Sequence, residues 1–247
     1  MVLRGRPDPS AVSVNASVSE RWVVSCYDLE VPDPYGDYIL RTGGAVDAWE
    51  NLFNRYFYES RFRELEAPIV DLGPGRCAFT RLSPNRIIAV DTSSSVVARY
   101  RMEGLDIRLG SAYDLPFEDE SVSGLYSCWL LEHLDDPLRC MTQVRRILRP
   151  GGYVCLIVPS ADSLIHGFYD DYTHVRPFSH ASMKQLAEDA GFSRYRTRYL
   201  FWTRGLRRLI PFLGEERLLR VLKTMDGISQ RSRRLVNKQN LVFEARR

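Results

Sequence analysis

The sequence predicts a doubly wound α/β fold, a seven-stranded and mostly parallel sheet with helices on both faces. Three observations predict it. From residue 68 onward, short apolar runs alternate with amphipathic segments, which is the rhythm of βαβ units. Several of these runs are apolar at nearly every position, as strands covered on both faces are. The first run ends at an acid and then spends two glycines on a turn, in "IVDLGPGRC" (69–77).

The elements follow in order. Residues 1–20 lack the apolar core of a signal peptide and read as a mobile tail. Residues 21–66 form an N-terminal extension. Its aromatic segment "AWENLFNRYFYESRF" (48–62) has the pattern of an amphipathic helix, which either joins the core or caps a ligand. The core spans 67–203. Its strands are "PIVDLG" (68–73), "RIIAVD" (86–91), a weaker "DIRLGSA" (106–112), "SGLYSCWL" (123–130) and "GYVCLIVPS" (152–160). Between them, "SSSVVARYRMEG" (93–104) starts at serine caps and stops at a glycine. In "DPLRCMTQVRRILRPGG" (136–152), Leu138, Met141, Val144, Ile147 and Leu148 share one helical face, and Pro150-Gly151-Gly152 ends it. "SHASMKQLAEDAGF" (179–192) is a further capped helix. "SRYRTRYLFW" (193–202) and "QNLVFEARR" (239–247) complete the seven strands, with a helical insertion at 204–238 between them.

Composition sets outer limits. The chain has 247 residues, 45% hydrophobic and 26% charged, as soluble globular domains do. No run of 18 apolar residues calls for a membrane span. The five cysteines are scattered without a CxxC pair. That points to a reducing, cytoplasmic setting and away from a disulfide frame or zinc site, and no metal is expected. The net charge of +3 is uneven: residues 203–238 carry ten Arg or Lys and three acids, +7 locally. Arginine outnumbers lysine 31 to 3, which fits codon bias in a GC-rich genome. No RNA-binding module accompanies the charge, so no nucleic-acid partner is expected.

In a doubly wound sheet the ligand lies outside the carboxyl ends of the strands. Asp71, Asp91, Asp114 and residues 127–133 all follow predicted strands and meet at that edge. Asp91 stands twenty residues after Asp71, the spacing at which an acid reaches a ribose diol. "GPGRCA" (73–78) fits a dinucleotide fingerprint, but Asp71 would sit poorly beside a diphosphate. A carboxylate there suits a ligand with positive charge, such as the ammonium and sulfonium of S-adenosylmethionine (SAM).

These stretches together resemble the class I SAM-dependent methyltransferases, and within them the type 11 group. "VDLGPGRC" resembles the first motif of that family and "IIAVDTS" the second. "GSAYDLPFEDESVSGLYS" resembles the stretch that lays adenine against the fourth strand, and "LLEHLDDPLRCMTQVRRILRPGG" the long motif after it. The resemblance covers residues 65–202 and the final strand, and implies a Rossmann-like methyltransferase fold with SAM as cofactor. It implies that Asp71, Gly73 and Gly75 contact the methionyl part, Asp91 the ribose hydroxyls, and Ser111, Ala112 and Tyr113 the adenine, with Thr92 also among the cofactor-binding residues. Cys128 and Trp129 fall near the methionyl end and the acceptor, while Asp114 shapes the turn. Two positions depart from the pattern. Cys77 replaces a third glycine, which crowds the loop modestly. Ser111 stands where an acid commonly bonds the adenine amino group, and a hydroxyl is the weaker acceptor.

A hydroxyl acceptor needs a base. His133, in "LLEHLDD", matches a histidine regarded as the base in some sugar and natural-product O-methyltransferases of this family; the alternative is a local structural bond. "HGFYDDYTHVRPFS" (166–179) gathers four aromatics, two histidines and adjacent acids after the fifth strand. Its Asp170, Asp171 or His174 serves as base or acceptor contact, or Asp171 and His174 hold each other in a structural loop. Loops of this type in family members from polysaccharide and glycoside pathways point towards a sugar. The insertion has apolar residues at helical spacing: Leu206, Leu209 and Ile210, then Leu218, Leu219 and Leu222. It reads as a lid or homodimer contact, as a peripheral membrane contact, or as a solvated helix pair. The expected function is methyl transfer from SAM to a small-molecule hydroxyl, with a non-catalytic SAM-binding scaffold and an NAD-dependent oxidoreductase as rivals.

Overall fold

The structure is a computed structural model, and it describes residues 33–41, 46–162, 167–200, 208–229 and 239–247. The expected tail at 1–20, residues 21–32 of the extension and residues 204–207 and 230–238 of the insertion lie outside the described residues.

Seven strands form one sheet: β1 (Ile69–Leu72), β2 (Ile87–Asp91), β3 (Ile107–Leu109), β4 (Val122–Cys128), β5 (Leu148–Pro159), β6 (Arg194–Tyr199) and β7 (Asn240–Arg246). Their order is β3-β2-β1-β4-β5-β7-β6. Pairings among β1 to β5 are parallel, and β7 runs antiparallel between β5 and β6. The chain leaves β1 towards β2 on one side and returns with β4 on the other. That reversal places a crevice at the carboxyl ends of β1 and β4.

Seven α-helices accompany the sheet among the described residues: α1 (Pro34–Arg41), α2 (Ala48–Phe57), α3 (Ser94–Met102), α4 (Pro137–Ile147), α5 (His180–Asp189), α6 (Ile210–Leu213) and α7 (Glu215–Ser229). Local chemistry explains their starts. Asp47, Ser93, Asp136 and Ser179 each accept a backbone N–H from the first turn, and Ser179 with Ser182 closes a capping box.

Three expectations need correction. The third strand covers only 107–109, because residues 111–114 close a tight turn. The helix at 136–152 stops at Ile147. Leu148 is already extended, with ψ of 130°, and pairs with Val122. Pro150 disfavours helical backbone at Arg149, so the turn forms inside the start of β5 rather than after a helix. The strand at 193–202 ends at Tyr199, with residues 201–202 outside the described residues.

The aromatic segment belongs to the core. Leu52, Phe53, Tyr56, Phe57 and Phe62 are buried with Ile69, Phe79, Tyr126 and Tyr153. Leu218, Leu219 and Leu222 of α7 are buried in the same cluster. Ion pairs Arg55–Glu216, Lys223–Glu59 and Arg61–Asp226 hold α7 against α2 and the turn after it. The apolar stripe expected to be free for a lid, membrane or second copy is therefore covered by the chain's own core at these three leucines. Leu209, Phe212, Leu213 and Val221 remain exposed. Among the described residues no helix is long and apolar enough to cross a membrane.

Candidate active site

The glycine turn follows β1 directly. Gly73 and Gly75 adopt φ of 67° and 52°, a left-handed conformation that side chains resist. A Cβ on Gly73 would meet Leu130 at 3.1 Å, whereas one on Gly75 would meet only the Tyr35 hydroxyl, at 3.9 Å. Gly75 thus borders open space, where a ligand can lie against the backbone. Cys77 shares the left-handed conformation, with φ of 57°. Its side chain is buried with Val96, Val97, Tyr100 and Ile107 beneath α3. The expected crowding of the loop does not arise, since the thiol points into the core. Its cost is backbone strain of about 1–2 kcal/mol.

Two acids stand at the ends of β1 and β2. Asp71 is buried, and its Oδ2 accepts from Thr80, the backbone N–H at 3.2 Å and the hydroxyl at 2.7 Å. Asp91 is also buried, and its Oδ1 accepts the Ser93 N–H at 2.8 Å. Among the described residues neither is in an ion pair. Burial pushes Asp71 up to about 7, against the Thr80 bonds and with help from the Asp91 charge. Burial likewise pushes Asp91 up to about 6. Such a pair is relieved by positive charge or by hydroxyl donors. A cationic ligand carrying a ribose supplies both, so these residues fit SAM. Thr92 lies exposed beside them.

Helix α1 covers this corner, which sequence reasoning missed. Asp33 accepts from the Ser93 hydroxyl, from Ser95 Oγ at 2.8 Å and from Gly36 N–H at 2.8 Å. A Cβ on Gly36 would fall 2.2 Å from Ser95 Oγ, so glycine is needed for this docking. The docking sets Tyr35 beside Gly75, and burial and then the Asp91 charge raise the pKa of its hydroxyl. "DPYG" (33–36), a helix-start signal, was the available clue.

The turn after β3 presents Ser111, Ala112 and Tyr113. Ser111 Oγ accepts the Tyr113 N–H at 3.1 Å, and Asp114 N–H bonds Ser111 O at 3.1 Å. The Ser111 hydroxyl has thus made one accepting bond and keeps its hydrogen to donate. Ala112 is buried, Tyr113 is partly exposed, and Asp114 points to solvent.

Cys128 ends β4, partly buried, and Trp129 follows with φ of 57°. Trp129 stacks on Phe53 at 5.7 Å, donates from Nε1 to Asn240 Oδ1 at 3.0 Å, and is 47% exposed. A half-exposed indole on a strained backbone at a strand end suits contact with an acceptor.

Beyond it, a short 3-10 turn (Leu131–His133) meets the segment 167–178. Val175 N–H and Arg176 N–H bond Glu132 O at 2.8 and 3.3 Å, and Arg176 Nη2 bonds Asp135 O at 2.8 Å. These bonds bring His133 and His174 together, with ring centroids 4.7 Å apart. His133 Nδ1 lies 2.9 Å from Thr173 Oγ1, which spends its own hydrogen on Asp171 Oδ1 at 2.6 Å. Nδ1 therefore carries the proton, and Nε2 the lone pair. His174 Nδ1 lies 2.6 Å from the Phe168 carbonyl, which fixes the same tautomer. Burial and the neighbouring His174 lower the His133 pKa, so its ring is neutral at pH 7.

Sequence reasoning missed Glu132, although an acid inside the apolar run "WLLEHL" was a visible signal. It is fully buried, and among the described residues neither carboxylate oxygen has a hydrogen-bond partner. Such a group costs about 1–3 kcal/mol or more, and burial pushes its pKa up to about 8. Asp171 is exposed and held by Thr173, with Oδ2 4.0 Å from His174 Nε2. Asp170 is exposed and is not brought into the cluster.

The strand order, the glycine turn and the two strand-end acids define the fold of class I methyltransferases. Residues 70–156 match the model of the type 11 methyltransferase family, described as a methyltransferase domain. A Mycolicibacterium smegmatis protein named "Probable S-adenosylmethionine-dependent methyltransferase" is 32% identical over 128 residues, 50% of this chain and 50% of its own length. A rice (Oryza sativa subsp. japonica) protein named 2-methyl-6-phytyl-1,4-hydroquinone methyltransferase 2, chloroplastic, is 28% identical over 152 residues, 57% of this chain and 43% of its own length. The chain thus spans half or less of these curated relatives. A solved SAM-dependent methyltransferase from Archaeoglobus fulgidus superposes with a TM-score of 0.58 at 17% identity, covering 79% of this chain and 93% of the other. Family and relatives together imply SAM as the cofactor.

Proposed function

We propose that this chain is a SAM-dependent methyltransferase that methylates a hydroxyl of a small molecule, a sugar or glycosylated metabolite, in the cytoplasm. The observation that carries the reading is the pairing of Asp71 and Asp91, two buried acids outside any described ion pair, beside the open face of Gly75. Free Cys77, Cys128, Cys140 and Cys155 support a reducing setting.

When bound, SAM supplies a methyl group on positively charged sulfur. The chain's own residues position and deprotonate. Asp91 accepts the ribose hydroxyls, and Gly73 and Gly75 admit the methionyl part. Ser111 to Tyr113 border the base. Trp129, backed by the buried Phe53 ring, gives the acceptor an aromatic wall. His133, neutral and with its lone pair on Nε2, takes the hydroxyl proton, a step worth about 10²–10⁴-fold.

A second reading places a hydroquinone in the same position. The half-exposed Trp129 face and the similarity to the rice hydroquinone methyltransferase favour it. Calorimetric titration with S-adenosylhomocysteine, SAM and NAD tests the cofactor assignment: the adenosyl ligands should bind and NAD should not. Mass spectrometry after incubation with SAM and sugar or hydroquinone acceptors then separates the two readings by which one gains a methyl group. Binding of NAD alone would overturn the function.

A further inference from the structure

We propose that Glu132, His133 and His174 form a binding site for a divalent transition-metal ion of the zinc type, beside the carboxyl end of β4. One donor atom from each of the three lies within 4.8 Å of the others. Two imidazoles and a carboxylate are a donor set that zinc and its first-row neighbours take.

Three independent features point the same way. Both histidines have Nδ1 committed to a fixed acceptor, Thr173 Oγ1 at 2.9 Å and the Phe168 carbonyl at 2.6 Å. That is the outer arrangement which orients metal-bound histidines and leaves Nε2 as the ligand atom. Glu132 is fully buried, one of its oxygens lies within 4.8 Å of a ring nitrogen of each histidine, and among the described residues neither oxygen has a hydrogen-bond partner. The two segments are joined through backbone bonds from Val175 and Arg176 to the Glu132 carbonyl, so the ligands sit on a braced frame.

Tetrahedral zinc with bonds of about 2.0–2.1 Å holds its donors roughly 3.4 Å apart. The three donors, within 4.8 Å of one another without the ion, would close towards that spacing on binding it. The ion balances the Glu132 carboxylate, and three protein ligands leave a further position for water or an acceptor oxygen. Scattered cysteines argued against zinc in the sequence, but this donor set contains none. The inference rests on the methyl-transfer reading of the same site but changes one role in it: with His133 Nε2 on the ion, the ion and not His133 would acidify an acceptor hydroxyl, and His133 acts as base only in the metal-free protein. The geometry itself does not depend on that reading.

The test uses the full chain, stripped with EDTA and titrated with ZnCl2 by calorimetry, with elemental analysis after dialysis. CoCl2 in a parallel sample reports coordination through its visible spectrum. One zinc per chain is expected, with a tetrahedral or five-coordinate cobalt spectrum. Glu132→Gln and His174→Ala should each weaken zinc binding at least tenfold, and Thr173→Val should weaken it while keeping all three ligands. Circular dichroism of the metal-free variants checks their folding. If a variant does not fold, the wild-type cobalt spectrum decides, and an octahedral aquo-type spectrum overturns the site. Zinc binding that is substoichiometric, or unchanged in folded Glu132→Gln and His174→Ala, also overturns it. SAM binding is measured on the same samples. SAM binding without zinc uptake sinks the metal site alone, and zinc uptake without SAM binding sinks the methyltransferase reading alone.

Discussion

Thr80 donates twice to one oxygen of Asp71, from its backbone N–H at 3.2 Å and its hydroxyl at 2.7 Å. The acid that closes β1 is thereby fixed from the segment that follows the glycine turn, and the turn is held between them. Thr80→Val keeps the shape and removes the hydroxyl bond to a buried carboxylate. Stability should fall by about 1–3 kcal/mol, read from urea denaturation. An unchanged midpoint would show that the hydroxyl bond contributes nothing.

The pH dependence follows from the strand-end acids. Burial raises the folded-state pKa of Asp71 to about 7 and of Asp91 to about 6, from ordinary values near 3.8. Between those limits the folded protein binds more protons than the unfolded chain. Their contribution to stability is full below pH 4 and is lost as pH rises through 6 to 7. Asp91→Asn should flatten this fall in thermal stability between pH 4 and 6 in the ligand-free protein. The same substitution should weaken SAM binding at least tenfold at pH 8, where Asp91 is ionised. Unchanged affinity in calorimetry would remove the ribose assignment.

Removing the proposed base separates chemistry from binding. His133→Ala should lower kcat about 10²–10⁴-fold while the Kd for SAM stays within twofold. Full turnover in single-turnover kinetics would exclude His133 from proton transfer.

Glu244 anchors a network remote from the SAM crevice in the strand order. It accepts from Tyr153 at 2.6 Å, Arg61 at 2.7 Å, Arg196 at 2.8 Å and Arg198 at 3.2 Å. Burial alone would raise its pKa, but Arg198, Tyr153, Arg196 and Arg61 hold it at about 2. Its contribution is present above pH 4.5 and lost as pH falls towards 2. Glu244→Gln should cost about 3–5 kcal/mol at pH 7, because buried Arg198 then keeps only Asp226, at 3.0 Å. Chemical denaturation at pH 7 and pH 3 should show the loss shrinking at the lower value.

Local rules made much of the fold legible. The runs ending at Asp71 and Asp91 are strands because every residue from Ile69 and from Ile87 to the acid is apolar, and the serine caps start helices as their chemistry requires. The residues proposed for the cofactor crevice could be named from the sequence because they lie on turns contiguous with those strands. What escaped notice depends on partners distant in the chain. Helix α1 acquires its position from Asp33 meeting Ser93 and Ser95 some sixty residues later. Glu132 looked like a neighbour of His133, and only the return of residues 168–176 encloses it. The helix ends at Ile147, short of the expected stop at Pro150, because Leu148 is drawn into the sheet by its pairing with Val122 across the strands. Leu218, Leu219 and Leu222 have the pattern of a surface-seeking stripe, and nothing in that pattern says that Phe57 and Tyr153 already wait for it.

Strand β6 reaches the sheet through β7, and some forty residues separate Tyr199 from Asn240. A ribosome that has just released β6 therefore holds an orphan. Arg196 and Arg198 have no Glu244 to meet, and Trp129 has no Asn240. The parallel half, β1 to β5, is free to assemble while synthesis continues. The antiparallel edge must wait for the intervening segment before its non-local pairing can form. The parallel half of the sheet and its antiparallel edge thus become complete at different moments in the life of the same chain.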